Sequence, residues 1–167
     1  MEKNSNKSVV SRRTFLGTTA AAAAGFTILP NHVVGGLGHK APNDKLNIVG
    51  VGVGGMGFAN LKNLESENII GLCDVDWKYT GGNGVFDRYP EAKKYKDWRK
   101  MYDEMGNDFD AVVVATADHT HTIVASHAIT MGKHVYVQKP LTHSVYESRL
   151  LTKLADKYKV ATSMGNQ

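Results

Sequence analysis

Lys45-Leu-Asn-Ile-Val-Gly-Val-Gly-Val-Gly-Gly-Met-Gly57 is the stretch of sequence that decides the fold. Its first half is a short apolar run with β-branched residues, which predicts a β-strand over residues 46–51. The run stops at Gly52, and the residues from Phe58 to Leu64 that follow the glycines are compatible with a helix. A strand, a glycine turn and a helix in this order are typical of a phosphate-binding turn.

The glycines of this turn have different steric roles. Gly52 lets the chain turn tightly, Gly54 lets the backbone approach a pyrophosphate, and Gly57 lets the helix pack closely against the strand. The unpaired N–H groups and the positive dipole end of the helix attract phosphate charges without a lysine or a metal. The candidate cofactor-binding residues in the turn are Gly52, Gly54, Gly55, Met56 and Gly57.

Two alternatives remain open for this turn. The register Gly50-x-Gly52-x-x-Gly55 also fits the pattern, but it would place Gly50 inside the strand. We prefer the later register because the helix is expected to begin directly after Gly57. A glycine-rich loop without any ligand is the other alternative.

A second strand makes the ligand-binding interpretation stronger. Asn68-Ile-Ile-Gly-Leu-Cys-Asp74 is an apolar run that ends in a carboxylate, 22 positions after Gly52. A carboxylate at this spacing accepts hydrogen bonds from the adenosine ribose hydroxyls and repels a 2′-phosphate. The sequence therefore predicts NAD rather than NADP as the cofactor, with Asp74 as the ribose ligand. Asp76 could substitute for it, or both carboxylates could cap a loop.

Residues 1–30 have the pattern of a targeting segment, and residues 31–44 follow as a linker. Ser11-Arg-Arg-Thr-Phe-Leu16 carries the paired arginines of a twin-arginine signal, and the alanine-rich run after it is too short for a stable membrane span. We expect export by the twin-arginine route to a periplasmic location, or a membrane-tethered one if the signal stays uncleaved. The alternative is a disordered basic arm before a cytosolic domain.

Most of the positive charge lies in this first segment. The whole chain has a formal net charge of +4, whereas residues 31–167 hold 16 basic and 15 acidic side chains. The basic isoelectric point is therefore no argument for a nucleic-acid partner. Cys73 is the only cysteine, which excludes a disulfide framework and a CxxC site.

Between the second strand and residue 106 the pattern predicts a loop through Gly84, a short helix up to Arg88 and a weak strand near residues 94–96. A helix capped by Asp97 follows, and Gly106 ends it. Its apolar residues have helical spacing and indicate core rather than a cofactor site; they are Trp98, Met101, Tyr102 and Met105.

From residue 110 onward the pattern continues to alternate. It predicts strands at 111–115, 134–138 and 160–164, a helix over 121–131, and a helix from a Ser144–Glu147 capping box to about Tyr158. Such alternation predicts one α/β domain over residues 45–167, a Rossmann-type, doubly wound and mostly parallel sheet of order 3-2-1-4-5-6. Ligands bind such sheets at the carboxyl ends of the strands.

Three loops fall at that edge, and their sequences resemble a known family. Val114-Ala-Thr-Ala-Asp-His-Thr-His121, Gly132-Lys-His-Val-Tyr-Val-Gln-Lys-Pro-Leu-Thr-His-Ser144 and Met164-Gly-Asn-Gln167 are similar to motifs of the glucose–fructose oxidoreductase and inositol dehydrogenase family (Gfo/Idh/MocA), in its amino-terminal domain. The resemblance covers essentially residues 45–167 and carries four motifs in order.

The resemblance implies an enzyme that transfers a hydride between NAD, or less favourably NADP, and a sugar, polyol or related hydroxyl compound. Lys139 matches the lysine of the family's Glu-Lys-Pro motif and is the candidate catalytic residue, since an ammonium can polarise a hydroxyl or carbonyl group. Thr116, His121 and Gln138 join Lys139 as implied cofactor-binding residues. The resemblance also implies a cis Lys139–Pro140 peptide and a homo-oligomeric full-length form.

The sequence departs from the family at two positions. Gln138 stands where glutamate is usual, so Lys139 lacks an adjacent negative charge. Ala117 stands where proline is usual, which leaves its loop less rigid. His119 and His121 have no third ligand at a metal-site spacing, so no metal is expected.

Family members continue into a second domain that forms one wall of the substrate pocket, and that domain is absent from this sequence. We therefore expect a truncated product, a fragment or a half that needs a partner, able to bind NAD weakly without turnover. Two alternatives remain: an NAD-dependent glycosidase of the same family, and a non-catalytic dinucleotide-binding module.

Overall fold

The computed structural model describes residues 44–166. The predicted targeting segment and nearly all of the linker lie outside these residues. Within them the strands are β1 (Asn47–Val51), β2 (Asn68–Cys73), β3 (Lys93–Tyr95), β4 (Ala111–Val114), β5 (His134–Val137) and β6 (Thr162–Met164). The helices are α1 (Gly55–Lys62), α2 (Trp77–Gly82), α3 (Val85–Arg88), α4 (Trp98–Met105), α5 (Asp118–Thr130) and α6 (Val145–Tyr158).

The six strands form one parallel sheet in the order β3-β2-β1-β4-β5-β6, which confirms the predicted Rossmann topology. β1 lies between β2 and β4, with Ile48 opposite both Ile69 and Ala111. The chain reverses its direction of winding between β1 and β4, so a crevice opens where their carboxyl ends diverge. The fold therefore brings the loops after β1, β2 and β4 to a common edge.

Helices cover both faces of the sheet, and two apolar clusters fill the layers. The larger contains Val49, Val112 and Ile129 among the fully buried residues, and the smaller centres on Ile48, Leu61 and Val113. Because neighbouring residues of β1 belong to opposite clusters, the strand is buried on both faces, as its unbroken apolar sequence predicts.

Two helices begin earlier than predicted. α1 begins at Gly55 rather than after Gly57, because Gly54 is extended and acts as the N-cap. α5 begins at Asp118 rather than near residue 121, with the extended Ala117 at its N-cap. In both cases the turn is shorter than predicted, and the first helical residues, Gly55-Met-Gly57 in α1 and Asp118-His-Thr120 in α5, are glycine-rich or polar and gave no periodic apolar signal.

The predicted loop through Gly84 contains a helix instead. α2 begins after Asp76, whose side chain accepts a hydrogen bond from the backbone N–H of Tyr79 at 2.9 Å. The helix is only six residues long and ends in two glycines, so its composition is that of a loop while its cap is that of a helix. The helix brings Tyr79 to the edge of the sheet where the ligand is expected.

The carboxyl-terminal half follows the prediction closely. Ser144 and Glu147 form both hydrogen bonds of the capping box at the start of α6, and the Lys139–Pro140 peptide is cis. β6 begins two residues later than predicted, since Lys159 closes α6 with a left-handed backbone (φ 57°). Across residues 44–166, no helix has the length and apolar character needed to cross a membrane.

Candidate functional site

A cleft of about 710 Å³ lies at the carboxyl ends of β1, β2 and β4. This volume is within the usual range for small-molecule and cofactor sites. Five of the ten residues predicted to bind cofactor or substrate line it: Gly52, Gly54, Gly55, Asp74 and Thr116. The cleft therefore occupies the crevice that the sheet order predicts.

The glycine turn forms the floor of the cleft. Gly52 has a positive φ of 77°, and a Cβ there would lie 2.6 Å from the carbonyl oxygen of Ala115. At Gly57, the close neighbour is the glycine turn itself: a Cβ on Gly57 would collide with the carbonyl oxygen of Gly52. These contacts match the steric roles of the later glycine register, with a tight turn at Gly52 and close helix packing at Gly57.

Asp74 ties the second strand to the glycine turn. Its Oδ2 accepts a hydrogen bond from the backbone N–H of Gly54 at 3.0 Å, and its Oδ1 accepts one from Asp76 at 3.0 Å. A carboxylate has about four lone-pair positions, so acceptor capacity remains for two further donors. Asp76 caps α2 and does not line the cleft, so of these two carboxylates it is Asp74 that faces the cleft.

The outer wall of the cleft contains residues that the sequence analysis did not assign to it. Tyr79, 55 % exposed, stands beside the glycine turn, where its ring approaches Gly54. Trp98, predicted as core, is half-buried and lines the cleft, whereas Met101, Tyr102 and Met105 are buried as predicted. The aromatic spacing of α4 predicted its buried face, but it could not show that the first turn of α4 reaches the mouth of the crevice.

Charged side chains of both signs also line this wall. Lys96 and Arg99 contribute positive charge, and Asp97 lies with them. The Asp97 carboxylate caps α4 through the backbone N–H of Arg99 and contacts the Arg99 guanidinium at 3.4 Å. The Arg99 guanidinium lies over the Trp98 ring, 4.5 Å from its centroid, so this wall combines an aromatic face with a cation.

The loop after β4 forms the opposite wall. Thr116 and Thr120 line the cleft, and their Oγ1 atoms lie 2.7 Å apart. His119, which had no predicted ligand role, lines the cleft as well. Because α5 begins at Asp118, His119 lies in its first turn, where its side chain is exposed to the crevice.

The structure places His121 and Gln138 away from the cleft lining, in contrast to the sequence expectation. His121 is 1 % exposed, and its Nδ1 and Nε2 lie 2.7 and 3.0 Å from the carbonyl oxygens of Pro140 and Thr116. Gln138 is 6 % exposed, and its Oε1 accepts a hydrogen bond from Asn60 Nδ2 at 2.9 Å. Both side chains are directed into the protein, His121 toward two backbone carbonyl oxygens and Gln138 toward Asn60 of α1.

Lys139 is exposed on the turn that follows β5, outside the residues that line the cleft. Met56 is also outside the lining, 48 % exposed on α1. A side chain as long as lysine can extend toward the cleft from this turn, but its ammonium is in contact with solvent. The structure thus brings the glycine turn, Asp74 and Thr116 together and leaves Lys139 beside them.

Cys73 lies at the base of the cleft and is 2 % exposed. Burial, together with the nearby charges of Asp74 and Asp97, raises the pKa of the Cys73 thiol to about 12. The thiol is therefore protonated near neutral pH and is a poor nucleophile. Between residues 44 and 166, no cluster of three histidine, cysteine or carboxylate side chains has the geometry to hold a metal ion.

These residues fit the expected dinucleotide. Gly54 has no Cβ, and α1 begins at Gly55, in the cleft lining, without a side chain that caps its first N–H groups. The Asp74 carboxylate comes 20 residues after Gly54 in the chain and accepts a hydrogen bond from its N–H. A pyrophosphate at the turn and a ribose at Asp74 would meet complementary groups.

Comparisons with known proteins agree with this geometry. Residues 45–166 match the family described as "Oxidoreductase family, NAD-binding Rossmann fold" (GFO_IDH_MocA). The chain is 31 % identical over 126 residues to "Glycosyl hydrolase family 109 protein 1" of Akkermansia muciniphila, a match that covers 66 % of this chain and 25 % of that protein. It is 30 % identical over 103 residues to inositol 2-dehydrogenase of Salmonella typhimurium, covering 58 % of this chain and 29 % of that protein.

Among solved structures, GenD2 from gentamicin A biosynthesis in complex with NAD superposes with a TM-score of 0.64 at 26 % identity. The superposition covers 84 % of this chain and 37 % of that one. The chain thus spans about a quarter of the length of the first curated relatives that it matches.

Proposed function

Because the chain belongs to the oxidoreductase family with an NAD-binding Rossmann fold, we propose that it is the cofactor-binding part of an exported enzyme that transfers a hydride between NAD and a sugar, polyol or related hydroxyl compound. The observation that carries the proposal is the cleft itself, where a glycine turn and a carboxylate meet at the reversal point of the sheet. The relative named inositol 2-dehydrogenase supports a polyol-type substrate.

The residues of the glycine turn bind and orient the cofactor. The backbone N–H groups at the start of α1 receive the pyrophosphate, and the absence of a Cβ at Gly54 leaves room for it. Asp74 accepts hydrogen bonds from the adenosine ribose and repels a 2′-phosphate, which favours NAD over NADP. When it is bound, NAD supplies the hydride acceptor or donor.

Lys139 is the residue we assign to the substrate hydroxyl. Its ammonium can donate a hydrogen bond to the reacting oxygen and stabilise negative charge that develops there. Lys139 is exposed, so in this chain its charge is screened by water and water competes with the substrate. We therefore expect the chain as given to bind NAD and to show no turnover.

The segment before the domain supports export. The paired arginines Arg12 and Arg13 and the alanine-rich run after them have the pattern of a twin-arginine signal. Fusing residues 1–44 to a reporter protein tests this part of the proposal. Export should depend on the twin-arginine translocase and should be lost when both arginines are replaced by lysine.

A second candidate is redox-assisted cleavage of a glycosidic bond. The observation that favours it is that the first relatives found carry the name "Glycosyl hydrolase family 109 protein". In such a reaction the sugar is oxidised transiently, the bond is broken by elimination, and the cofactor returns to its first state. Net hydride transfer instead leaves an oxidised product and reduced cofactor.

Titration of the purified chain with NADH, followed by cofactor fluorescence, tests the binding proposal. Saturable binding is expected, and the addition of a sugar or polyol with NAD should give no absorbance at the wavelength of NADH above background. Absence of saturable binding would overturn the proposed cofactor role. If turnover is observed, analysis of the products separates an oxidised sugar, from net hydride transfer, from a released sugar, from glycosidic cleavage.

A further inference from the structure

The turn that carries Lys139 is held on both sides by buried polar side chains. On the amino-terminal side, Gln138 Oε1 accepts a hydrogen bond from Asn60 Nδ2 at 2.9 Å, and both residues are 6 % exposed. On the carboxyl-terminal side, the carbonyl oxygen of Pro140 lies 2.7 Å from Nδ1 of His121, which is 1 % exposed. Lys139 is the exposed residue between these two anchors.

The two anchors reach different elements that border the cleft. Asn60 belongs to α1, the helix whose first turn faces the crevice, and His121 belongs to the first turn of α5. The His121 ring also lies 3.0 Å from the carbonyl oxygen of Thr116, which lines the cleft. The Lys139 turn is therefore connected to α1, the helix that follows the glycine turn, and to the loop after β4 that forms one wall of the cleft.

Burial makes these contacts directional. A buried amide or imidazole without a hydrogen-bond partner costs free energy, so each side chain holds its partner in one geometry. A neutral imidazole donates from one nitrogen only, and a ring that donates to both carbonyls must carry two protons. The hydrogen bond to the Pro140 carbonyl oxygen requires a proton on Nδ1, and with that proton in place His121 links the backbone at Pro140 to the first turn of α5.

We propose that Asn60, Gln138 and His121 form a clamp that positions Lys139 relative to the cleft, which we call the Lys139 clamp. They are positioning residues, since in this geometry they act through the turn and do not line the cleft. The inference rests on the proposed function, because it assigns Lys139 a task beside the cofactor. It also gives His121 and Gln138, which were expected to bind the cofactor, the role of positioning Lys139.

The clamp also explains the glutamine at position 138. Its Oε1 serves as the acceptor for Asn60, and a glutamate at the same position has an equivalent oxygen. What the site needs from residue 138 is thus an acceptor oxygen directed at α1 rather than a negative charge directed at Lys139. Space there is limited: a Cβ on Gly165 would lie 2.9 Å from Gln138 Oε1.

A matched pair of substitutions at His121 tests the clamp. The amide nitrogen of asparagine can replace Nδ1 and so keep the bond to Pro140, whereas that of glutamine replaces Nε2 and keeps only the contact to Thr116. We expect His121→Asn to preserve the turn and His121→Gln to release it. Gln138→Glu should preserve the turn and Gln138→Leu should release it, and His134→Asn, at the opposite end of β5, serves as the control.

The first measurement is hydrogen–deuterium exchange of the full chain without cofactor. In the His121→Gln and Gln138→Leu variants, the amides of Lys139 and of residues 141–143 should exchange about tenfold faster, the factor that corresponds to the loss of one buried hydrogen bond. Exchange in β4 should stay unchanged, which excludes general unfolding. Equal exchange rates of the turn in the His121→Asn and His121→Gln variants would overturn the clamp. If neither His121 variant folds, equal exchange rates in the Gln138→Glu and Gln138→Leu variants would overturn it.

The second measurement asks whether the clamp acts on Lys139. Acylation of Lys139 by an amine-reactive ester is followed by mass spectrometry with and without NADH, with Lys133 as the internal reference. NADH should slow the acylation of Lys139 in the wild-type chain and in the His121→Asn and Gln138→Glu variants. The His121→Gln and Gln138→Leu variants should lose this protection while they still bind NADH. If NADH still protected Lys139 from acylation in the His121→Gln and Gln138→Leu variants, the positioning role would be wrong. If the wild-type chain failed to bind NADH, the proposed function would be wrong instead, and the hydrogen–deuterium exchange data alone would decide whether the clamp holds the turn.

Discussion

Replacing Gly57 by alanine tests the contact between helix α1 and the glycine turn. Gly57 is buried in the first turn of α1, and a Cβ there would collide with the carbonyl oxygen of Gly52 and lie 3.3 Å from the Cβ of Ala115. Neither neighbour is the flexible end of a side chain. The turn or the helix must therefore move to accept one methyl group.

The magnitude follows from two opposing effects. Inserting a methyl group that forces a backbone shift costs up to about 3 kcal/mol, and alanine in place of glycine inside a helix returns about 1 kcal/mol. We expect a net loss of about 2 kcal/mol in the free energy of unfolding. Since the displaced turn loses at least one hydrogen bond to a charged phosphate, NADH affinity should fall by about tenfold or more.

Urea denaturation gives the change in stability, and titration with NADH gives the change in affinity. Gly82→Ala is the matched control, because Gly82 lies in α2 and a Cβ there meets nothing within 4 Å. That variant should be as stable as wild type or slightly more stable, with unchanged NADH affinity. If Gly57→Ala bound NADH like wild type and unfolded at the same urea concentration, the argument that the cradle requires glycine there would be wrong.

Asp74→Asn should weaken NADH binding by about 1–3 kcal/mol, because one of the two acceptor oxygens is replaced by an NH2 donor. It should also narrow the preference for NADH over NADPH, because the charge that repels a 2′-phosphate is lost; parallel titrations with both cofactors measure this, and Asp76→Asn, which alters only the α2 cap, should keep the preference. Cys73, with its pKa raised to about 12 from 9.0 by burial, should react with an alkylating reagent at pH 8 about a thousandfold more slowly than in the urea-unfolded chain, and comparable rates at low urea would contradict the burial. The same shift predicts that the free energy of unfolding falls between about pH 9 and pH 12, since the unfolded chain releases the Cys73 proton first; Cys73→Ser should flatten this slope in alkaline denaturation curves. The pKa of Glu65 is lowered by its hydrogen bond with Arg88, so this pair stabilises the fold above about pH 4.5 and ceases to do so as the pH falls further; Glu65→Gln should lose that acid-dependent part of stability, and an unchanged pH profile would show that the pair contributes nothing.

The sheet and its order could be predicted because the relevant signals are local and strong. The apolar runs of β1, β2 and β4 are bounded by glycine or aspartate, and the Ser144–Glu147 box marks the start of α6 unambiguously. Even the three-residue β3 was predicted within one residue, since alternation required a strand between two helices. Each of these features depends on residues that are neighbours in sequence.

Side-chain directions at the site were harder to predict. His121 has the spacing of a cleft residue, but α5 begins three residues early and turns its ring between two backbone carbonyls. Gln138 was expected among the cofactor-binding residues because of its motif, yet Asn60, 78 residues away in sequence, donates a hydrogen bond to its side chain. Tyr79 was missed because the helix that presents it has the composition of a loop. These outcomes depend on contacts between distant segments, which no local pattern encodes.

The position of β1 between β2 and β4 also has a consequence for folding kinetics. β1, β2 and β3 are consecutive in the chain, as are β4, β5 and β6, whereas pairing Ile48 with Ala111 closes a loop of more than sixty residues. By chain-closure arguments this step costs about 4 kcal/mol of conformational entropy before its contacts are formed. The two halves can thus collapse separately, and the pairing of β1 with β4 between them forms late. The cleft spans the β1–β4 contact, with Gly52 and Asp74 on one half and Thr116 on the other. A bound dinucleotide would therefore connect the two halves across the strand pairing that forms last in folding and separates first in unfolding.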